Sequence, residues 1–402
     1  MTQGPQLDRR FVLWLSLAQL VTWGSIFYTF SLLLEPVEHD LHLTRAQSSL
    51  AFSLALLAEG IAAYPVGRWI DAGHERAVMT GGSILAGVCL LAHSMVTSLP
   101  GFYAVWTGLG LSLAATLYTP VFAIVTRRYP DDFRRAIITI TFLGGLASTV
   151  MIPVSAWLIA HLGWRGALVV LAALQVLLCA PLHFMQLRNA PRRAVFAHAD
   201  LPPATAFLRS GPFLLIAVFT ICMMSVTASL PPHMIALLRG SGLDERWVIA
   251  IPASIGVLQV FGRVLLFFFE HRFDVHVANR AIPVLIPAGL AVLIAGTGQL
   301  WAALLFVLLF GMGNGMMTIV KGTAIAQYVS REHVASLNGA LGLPSAIARA
   351  LMPWLLGVLW TAQAGYTYGL WLLLALAVIA TIALALAQRL ALARQRLGAS
   401  NR

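Results

Sequence analysis

The chain has 402 residues, 59% of them hydrophobic and only 10% charged, with a mean hydropathy of +0.84 and a formal net charge of +11. Soluble domains carry about 25% charged residues, so this composition excludes an ordinary soluble fold and places the chain in a lipid bilayer. The positive balance suits loops that face anionic lipid and does not argue for nucleic acid.

Apolar runs long enough to cross a bilayer predict an all-α membrane protein with twelve transmembrane helices. In chain order they are 11–34, 47–66, 78–97, 101–125, 136–160 and 167–187, then 212–238, 247–269, 281–299, 301–325, 338–362 and 368–388. An even number puts both termini on one side. With the N-terminus inside, 19 of the 26 basic residues fall in inner segments, four in outer ones and three within spans, which predicts cytoplasmic termini. The first run is long enough to span and has no small-residue cleavage site, so it reads as a helix and not a removable signal. Cys89, Cys179 and Cys222 fall within spans as small apolar packers, so no disulfide or metal framework and no cofactor is expected.

Residues 188–211, RNAPRRAVFAHADLPPATAFLRSG, form the longest polar stretch between spans. They read as a cytoplasmic linker between a six-helix bundle over 1–187 and a second over 212–402 that ends in a short basic tail. The halves repeat in direct order. HLGWRGALVVLAAL at 161–174 is similar to TAQAGYTYGLWLLLAL at 361–376, and a shift of 203 residues takes Gly108 to Gly311 and Tyr118 to Lys321. Parallel six-span repeats are a transporter signature, with the substrate site at the repeat interface near the midplane.

On these features the chain resembles the major facilitator superfamily over its whole length. GRWIDAGHER, at 67–76, is similar to that family's G-x-x-x-D-R-x-G-R-R element, with Gly67, Asp71 and Arg76 in register and Ala72 and His74 departing from it. The resemblance implies that Asp71 and Arg76 latch the cytoplasmic ends of neighbouring helices; an ordinary charged turn is the alternative. FYTFSLLLEPVEHDLHLTRAQSSLAFSL at 27–54 and LPPHMIALLRGSGLDERWVIAIPASIGVLQVFGRVLL at 230–266 are similar to the monocarboxylate porter branch and its bacterial relatives. That likeness implies a multi-pass protein of a bacterial inner membrane, with Arg263 of VFGR binding the substrate carboxylate. Gln259 stands where the branch has an acid, a departure that speaks against a proton relay at that position.

A charge at the centre of a span costs roughly 2.5–3.5 kcal/mol on insertion scales and marks a candidate functional site. Four lie within spans: Glu59, the sole such acid among fifteen, and the cations Arg263, Lys321 and Arg349. Arg263 sits about 10 Å inside the cytoplasmic end of its span, with Gln259 one turn away on the same face. Its planar fork meets both oxygens of a carboxylate and stays protonated. Lys321, in TIVKGTAIA, is the chain's single lysine. Asn314, Thr318 and Lys321 share one helix face, and Tyr118, Tyr28, Gln19 and Thr22 are candidates to line the cavity from the first half. Snorkelling cations and plain aromatic packing are the structural alternatives. Glu59 and Arg349 have similar depth and opposite charge, and in the resembled fold helices 2 and 11 face each other, so they are expected to pair in one conformation. His39, Asp40 and His42 have a metal-like look but read as ordinary loop residues, and His233 reads as a helix-end histidine near an outer gate.

These residues predict a secondary active transporter that moves a small organic anion, a monocarboxylate, by alternating access with proton coupling. It is expected to work as a monomer among membrane lipids. No nucleotide-binding loop is present to make ATP the fuel. A drug exporter of the same superfamily is the nearest alternative, but it calls for acids facing cationic drugs, and three cations against one acid favour anions. A membrane-embedded enzyme needs a clustered nucleophile, base or metal set; the acids here are scattered, so no enzyme activity is expected.

Overall fold

The computed structural model describes residues 8–129, 133–188, 207–269, 275–330 and 334–400. Among the described residues eleven helices are long and apolar enough to cross a membrane, one fewer than expected. The difference lies at Thr139–Gln186, a single helical run of 48 residues where two spans are predicted. At 1.5 Å per residue it would be about 72 Å long, more than twice the hydrocarbon core of ~30 Å. It is not a straight rod. Gly163 interrupts it at φ 68° and ψ 168°, a conformation open to glycine and avoided by residues with a Cβ.

Contacts group the chain into two compact units. One holds Met1–Phe196 with Pro231–Ala236 and Glu245–Gly256, and the other holds Ala197–Leu230, Leu237–Asp244 and Val257–Arg402. Residues 189–206 of the expected linker lie outside the described residues.

In the first unit, α1 (Arg9–Thr22) starts at Asp8, whose carboxylate accepts from the N–H groups of Arg10 and Phe11 and so satisfies two donors that a helix start leaves open. The helix runs on through a π-helical turn, Trp23–Tyr28, into α2 (Thr29–Leu41), passing Pro36 and the expected end at residue 34. Thr44 and Gln47 form a reciprocal capping box at the start of α3 (Arg45–Asp71). After α4 (Glu75–Ser94), Ser98 caps α5 (Leu99–Thr116).

The expected fourth span, 101–125, is broken. Leu117 is extended, with ψ −165°, and α6 (Tyr118–Arg128) begins after it. Pro120 gives the physical reason. It has no N–H to donate to the Thr116 carbonyl four residues back, but it is tolerated in the first turn of a new helix. The freed Thr116 carbonyl accepts instead from Gln19 Nε2 of α1.

The unit continues through α7 (Phe133–Gly145), α8 (Ala147–Leu174), a second π-helical turn at Gln175–Cys179 and α9 (Ala180–Gln186). The two π turns meet: Gln175 Nε2 donates to Ser25 Oγ at 2.8 Å and to Thr22 Oγ1 at 3.4 Å. Phe30, Phe52 and Trp106 pack together in the interior. Side chains such as Val88, Leu91 and Leu177 are exposed, as a surface that contacts lipid requires.

The second unit contains most of α10 (Gly211–Gly240) and α11 (Glu245–Phe269), followed by α12 (Val275–Ala281), a 3₁₀ turn, α13 (Leu285–Ala295), α14 (Leu300–Tyr328), α15 (Val334–Val358) and α16 (Thr367–Ser400). Polar side chains tie its helices together. Asn279 Nδ2 donates to Gln327 Oε1 at 2.6 Å and to the Tyr328 hydroxyl at 2.9 Å, and Arg280 Nε donates to Gln388 Oε1 at 2.7 Å.

Candidate functional site

In the second unit α11 and α14 approach backbone to backbone. A Cβ on Gly315 would meet the Gln259 carbonyl oxygen at 2.1 Å, and one on Gly262 would meet the Met312 carbonyl oxygen at 2.7 Å; small residues permit this contact in membrane helices. It sets Arg263 beside Gly315, where Nε donates to the Gly315 carbonyl at 3.3 Å and the side chain is half-buried. Gln259 is half-buried one turn earlier.

On α14, Asn314 and Lys321 are half-buried, whereas Thr318 is exposed and its hydroxyl bonds the Asn314 carbonyl of its own helix at 3.3 Å. The Lys321 ammonium donates to the Met224 thioether of α10. A thioether is a weak acceptor, and an ammonium has three donors. Among the described residues, two of those donors remain unspent. The Arg349 guanidinium of α15 is a like-charged neighbour of Lys321. Met224 was not a sequence candidate, because a methionine in an apolar span carries no signal of a polar contact.

In the first unit an aromatic wall forms around the two backbone irregularities. Tyr118 stacks on Phe122 at 5.3 Å between centroids and meets Trp23 at 5.4 Å. Trp23 in turn meets Phe27 at 5.1 Å and Tyr28 at 6.4 Å. All five are half-buried. The i→i+5 pitch of the π turn is what lets residues 27 and 28 both approach Trp23. Trp23 and Phe122 add to the predicted Tyr28 and Tyr118; the aromatic density of WGSIFYTF was the available signal.

The expectation for two residues of α1 changes. Gln19 and Thr22 do not line a cavity: both are fully buried and bonded to Thr116 and Gln175. His233, seven residues before the end of α10, is fully buried. Among the described residues no three potential metal ligands cluster, and the Asp40 carboxylate accepts from Trp164 Nε1 at 3.1 Å and from Arg165. Arg76 Nε donates to the Phe184 carbonyl at 2.8 Å with its guanidinium 3.6 Å from that ring's centroid; the Asp71 side chain lies outside the described residues. Glu59 is half-buried in the first unit and Arg349 half-buried in the second.

Glycine contacts also correct the register of the repeat. Gly108 meets Cys89 of α4 and Gly110 meets Ala55 of α3, while Gly313 meets Leu285 and Ile286 of α13 and Gly315 meets Gln259 of α11. In a direct repeat α4 corresponds to α13 and α3 to α11, so the shift on α14 is 205 residues, not 203. The string GMGNG at 311–315 contains two overlapping Gly-x-Gly pairs, and sequence similarity selects the wrong one. With the corrected shift the counterpart of Lys321 is Thr116, not Tyr118. On α11 the shift is 204, which takes Ala55 to Gln259 and Glu59 to Arg263.

The Major Facilitator Superfamily profile matches residues 15–286. The chain belongs to this family. As a major facilitator protein it is a multi-pass integral membrane protein of a transporter fold. It is 31% identical to monocarboxylate transporter 13 of Bos taurus over 204 residues, covering 50% of this chain and 47% of that protein. It is 28% identical to an MFS-type efflux pump of Mycolicibacterium smegmatis over 277 residues, covering 63% and 61%. The matches thus span about half to three-fifths of these relatives' own length. Among solved structures, a bacterial homolog of the human lysosomal transporter Spinster, inward-facing and unoccupied, matches with TM-score 0.73 and 18% identity over 95% of this chain and 97% of the other. The nucleoside transporter NupG matches with TM-score 0.71 and 14% identity over 94% and 98%. These likenesses show the fold.

Proposed function

We propose that this major facilitator protein is a secondary active transporter of a small organic anion, a monocarboxylate, coupled to protons and working by alternating access as a monomer in a bacterial inner membrane. The reading takes Thr139–Gln186 as two crossings, because of its length and the turn at Gly163, which gives twelve spans in two six-helix bundles with both termini cytoplasmic. The observation that carries the substrate class is the half-buried Lys321, whose open donors lie beside a second cation, Arg349. Two like charges repel in an empty site and are relieved by a carboxylate, so anion binding itself favours the state in which both are engaged. Arg263 and Gln259 on the same unit, with Asn314 on α14, supply further polar contacts for the anion. The half-buried Tyr28 and Tyr118 are assigned to the substrate's body. Glu59, Asp71, Arg76 and Arg349 are assigned to coupling and gating. The relatives named for monocarboxylate transport support this reading; the efflux-pump relative leaves uptake and export as outcomes of the same assay.

The test is uptake of radiolabelled small carboxylates into proteoliposomes with and without an inward proton gradient. Wild type is expected to accumulate at least one carboxylate under the gradient. Arg263→Lys is expected to fall roughly tenfold or more, because a bidentate guanidinium contact is not replaced by an ammonium. Wild-type transport by this variant, or no carboxylate flux at all, overturns the assignment.

A further inference from the structure

Two hydrogen bonds each join residues 97 positions apart: Gln19 Nε2 donates to the Thr116 carbonyl in the first unit, and Lys321 Nζ donates to the Met224 thioether at 2.8 Å in the second. The repeat accounts for the match. The shift of 205 residues that takes Thr116 to Lys321 also takes Gln19 to Met224, so both contacts occupy one place in the architecture, tying α1 to α5 and α10 to α14. Their causes differ. In the first unit Pro120 leaves the Thr116 carbonyl bare, and the fully buried Gln19 satisfies it. In the second unit Ile325 stands where the first has Pro120 and brings an N–H, and α14 runs unbroken from Leu300 to Tyr328. Its backbone ladder therefore needs no outside donor at this point. The polar group at the tie is instead the ammonium of the chain's single lysine, and both partners are half-buried where Gln19 and Thr116 are fully buried.

Helix repair explains the first tie and leaves the second without a structural cause. A thioether is a weak acceptor, and it is the acceptor that the described residues give this ammonium. Glutamine, the residue at the equivalent position of the first unit, offers an amide oxygen on a side chain of similar length, and a charge-assisted hydrogen bond to it is about twice as strong as a neutral one. We propose that Met224 is a positioning residue for Lys321: its flexible, polarisable side chain seats the ammonium between α10 and α14 and leaves the charge unsatisfied, and so open to a carboxylate. A strong acceptor at 224 spends the charge that the anion needs. An apolar residue leaves the charge open but gives up the seat. The inference rests on the carboxylate reading for its ligand and adds Met224 to the residues that serve it.

The experiment follows the single lysine. The full chain is produced with lysine isotope-labelled at Cε and purified in detergent, so that one side-chain NMR signal reports Lys321, and benzoate is titrated as the probe. The wild-type signal is expected to shift saturably with benzoate. Met224→Gln is expected to shift the signal before benzoate is added and to raise the benzoate dissociation constant roughly tenfold or more, the scale of one charge-assisted bond that the anion has to displace. Met224→Leu removes the acceptor at similar volume; it is expected to move the ligand-free signal and to stay within a few fold of wild-type affinity. Met224→Glu, which supplies a full counter-charge, is expected to weaken binding more than Met224→Gln and replaces it as the test if the glutamine variant has a lowered melting temperature. A residue that only packs gives glutamine and leucine variants of equal affinity, and that result overturns the proposal. A signal that moves with benzoate but with neither substitution overturns the role of Met224 alone. A wild-type signal that benzoate leaves in place overturns the anion reading of Lys321 and with it the role of Met224, so the two failures are distinguished.

Discussion

At the scale of single residues, the chemistry of Lys321 is decided by its neighbours. An ammonium whose hydrogen bond goes to the Met224 thioether and whose charged neighbour is Arg349 is poorly satisfied by the protein. Lys321→Met is therefore expected to raise the dissociation constant for carboxylates roughly tenfold or more, while Lys321→Arg stays within a few fold. Thermal-shift titration with the carboxylate found in the uptake assay checks both, since a ligand at 100 times its dissociation constant stabilises by about 2.7 kcal/mol; an unchanged titration for Lys321→Met shows that the lysine is only an anchor. The charge was visible in the sequence because lysine in an apolar run is conspicuous. Its contact with Met224 and its like-charged neighbour were not, because they join residues nearly a hundred and nearly thirty positions away.

At the scale of elements, the decisive features are breaks and close approaches. The α5–α6 break follows from Pro120, and its consequence, a bare Thr116 carbonyl, is met by Gln19. Gln19→Leu leaves that buried carbonyl unpaired and is expected to cost about 1–3 kcal/mol, read as a lowered melting temperature. The tight seam of α3 with α5 makes a second, sharper contrast. Gly110→Ala sets a Cβ 2.1 Å from the Ala55 carbonyl oxygen and is expected to destabilise by about 1–3 kcal/mol through overpacking. Gly81→Ala, on the exposed face of α4 with nothing within 4 Å, is expected to be neutral or stabilising, since alanine favours a helix over glycine by about 1 kcal/mol. Equal melting temperatures for the two variants would show that the seam is looser than its geometry. Helical spans were legible as apolar runs. The break was not: Pro120 lies within a run whose average hydropathy is unaffected by one missing N–H.

At the scale of the whole molecule, the arrangement in the membrane is the property to test. In a variant whose three cysteines are replaced, single cysteines at positions 98 and 161, from Ser98→Cys and His161→Cys, are expected to react with an impermeant maleimide in intact cells. His74→Cys is expected to react only after permeabilisation. All three positions are exposed, so failure to label reports sidedness and not burial. Labelling of positions 74 and 161 from the same side would remove the turn at Gly163 from the outer face and with it the count of twelve crossings.

Hydropathy and charge are sums over a run of residues, so the sequence alone determined that this protein is helical, crosses a membrane many times and carries four charges within its apolar runs. It also carried the family, through GRWIDAGHER and the repeated halves. Tertiary structure decided what depends on pairs of distant residues: that the repeat shifts by 205 and 204 residues, that Lys321 corresponds to Thr116, that Gln19 and Thr22 are buried ties, and that Glu59 stands at the place where the other unit has Arg263. A Gly-x-Gly string can slide by two in a sequence alignment at no cost. It cannot slide in a seam where a backbone carbonyl lies 2.1 Å from where a side chain would begin.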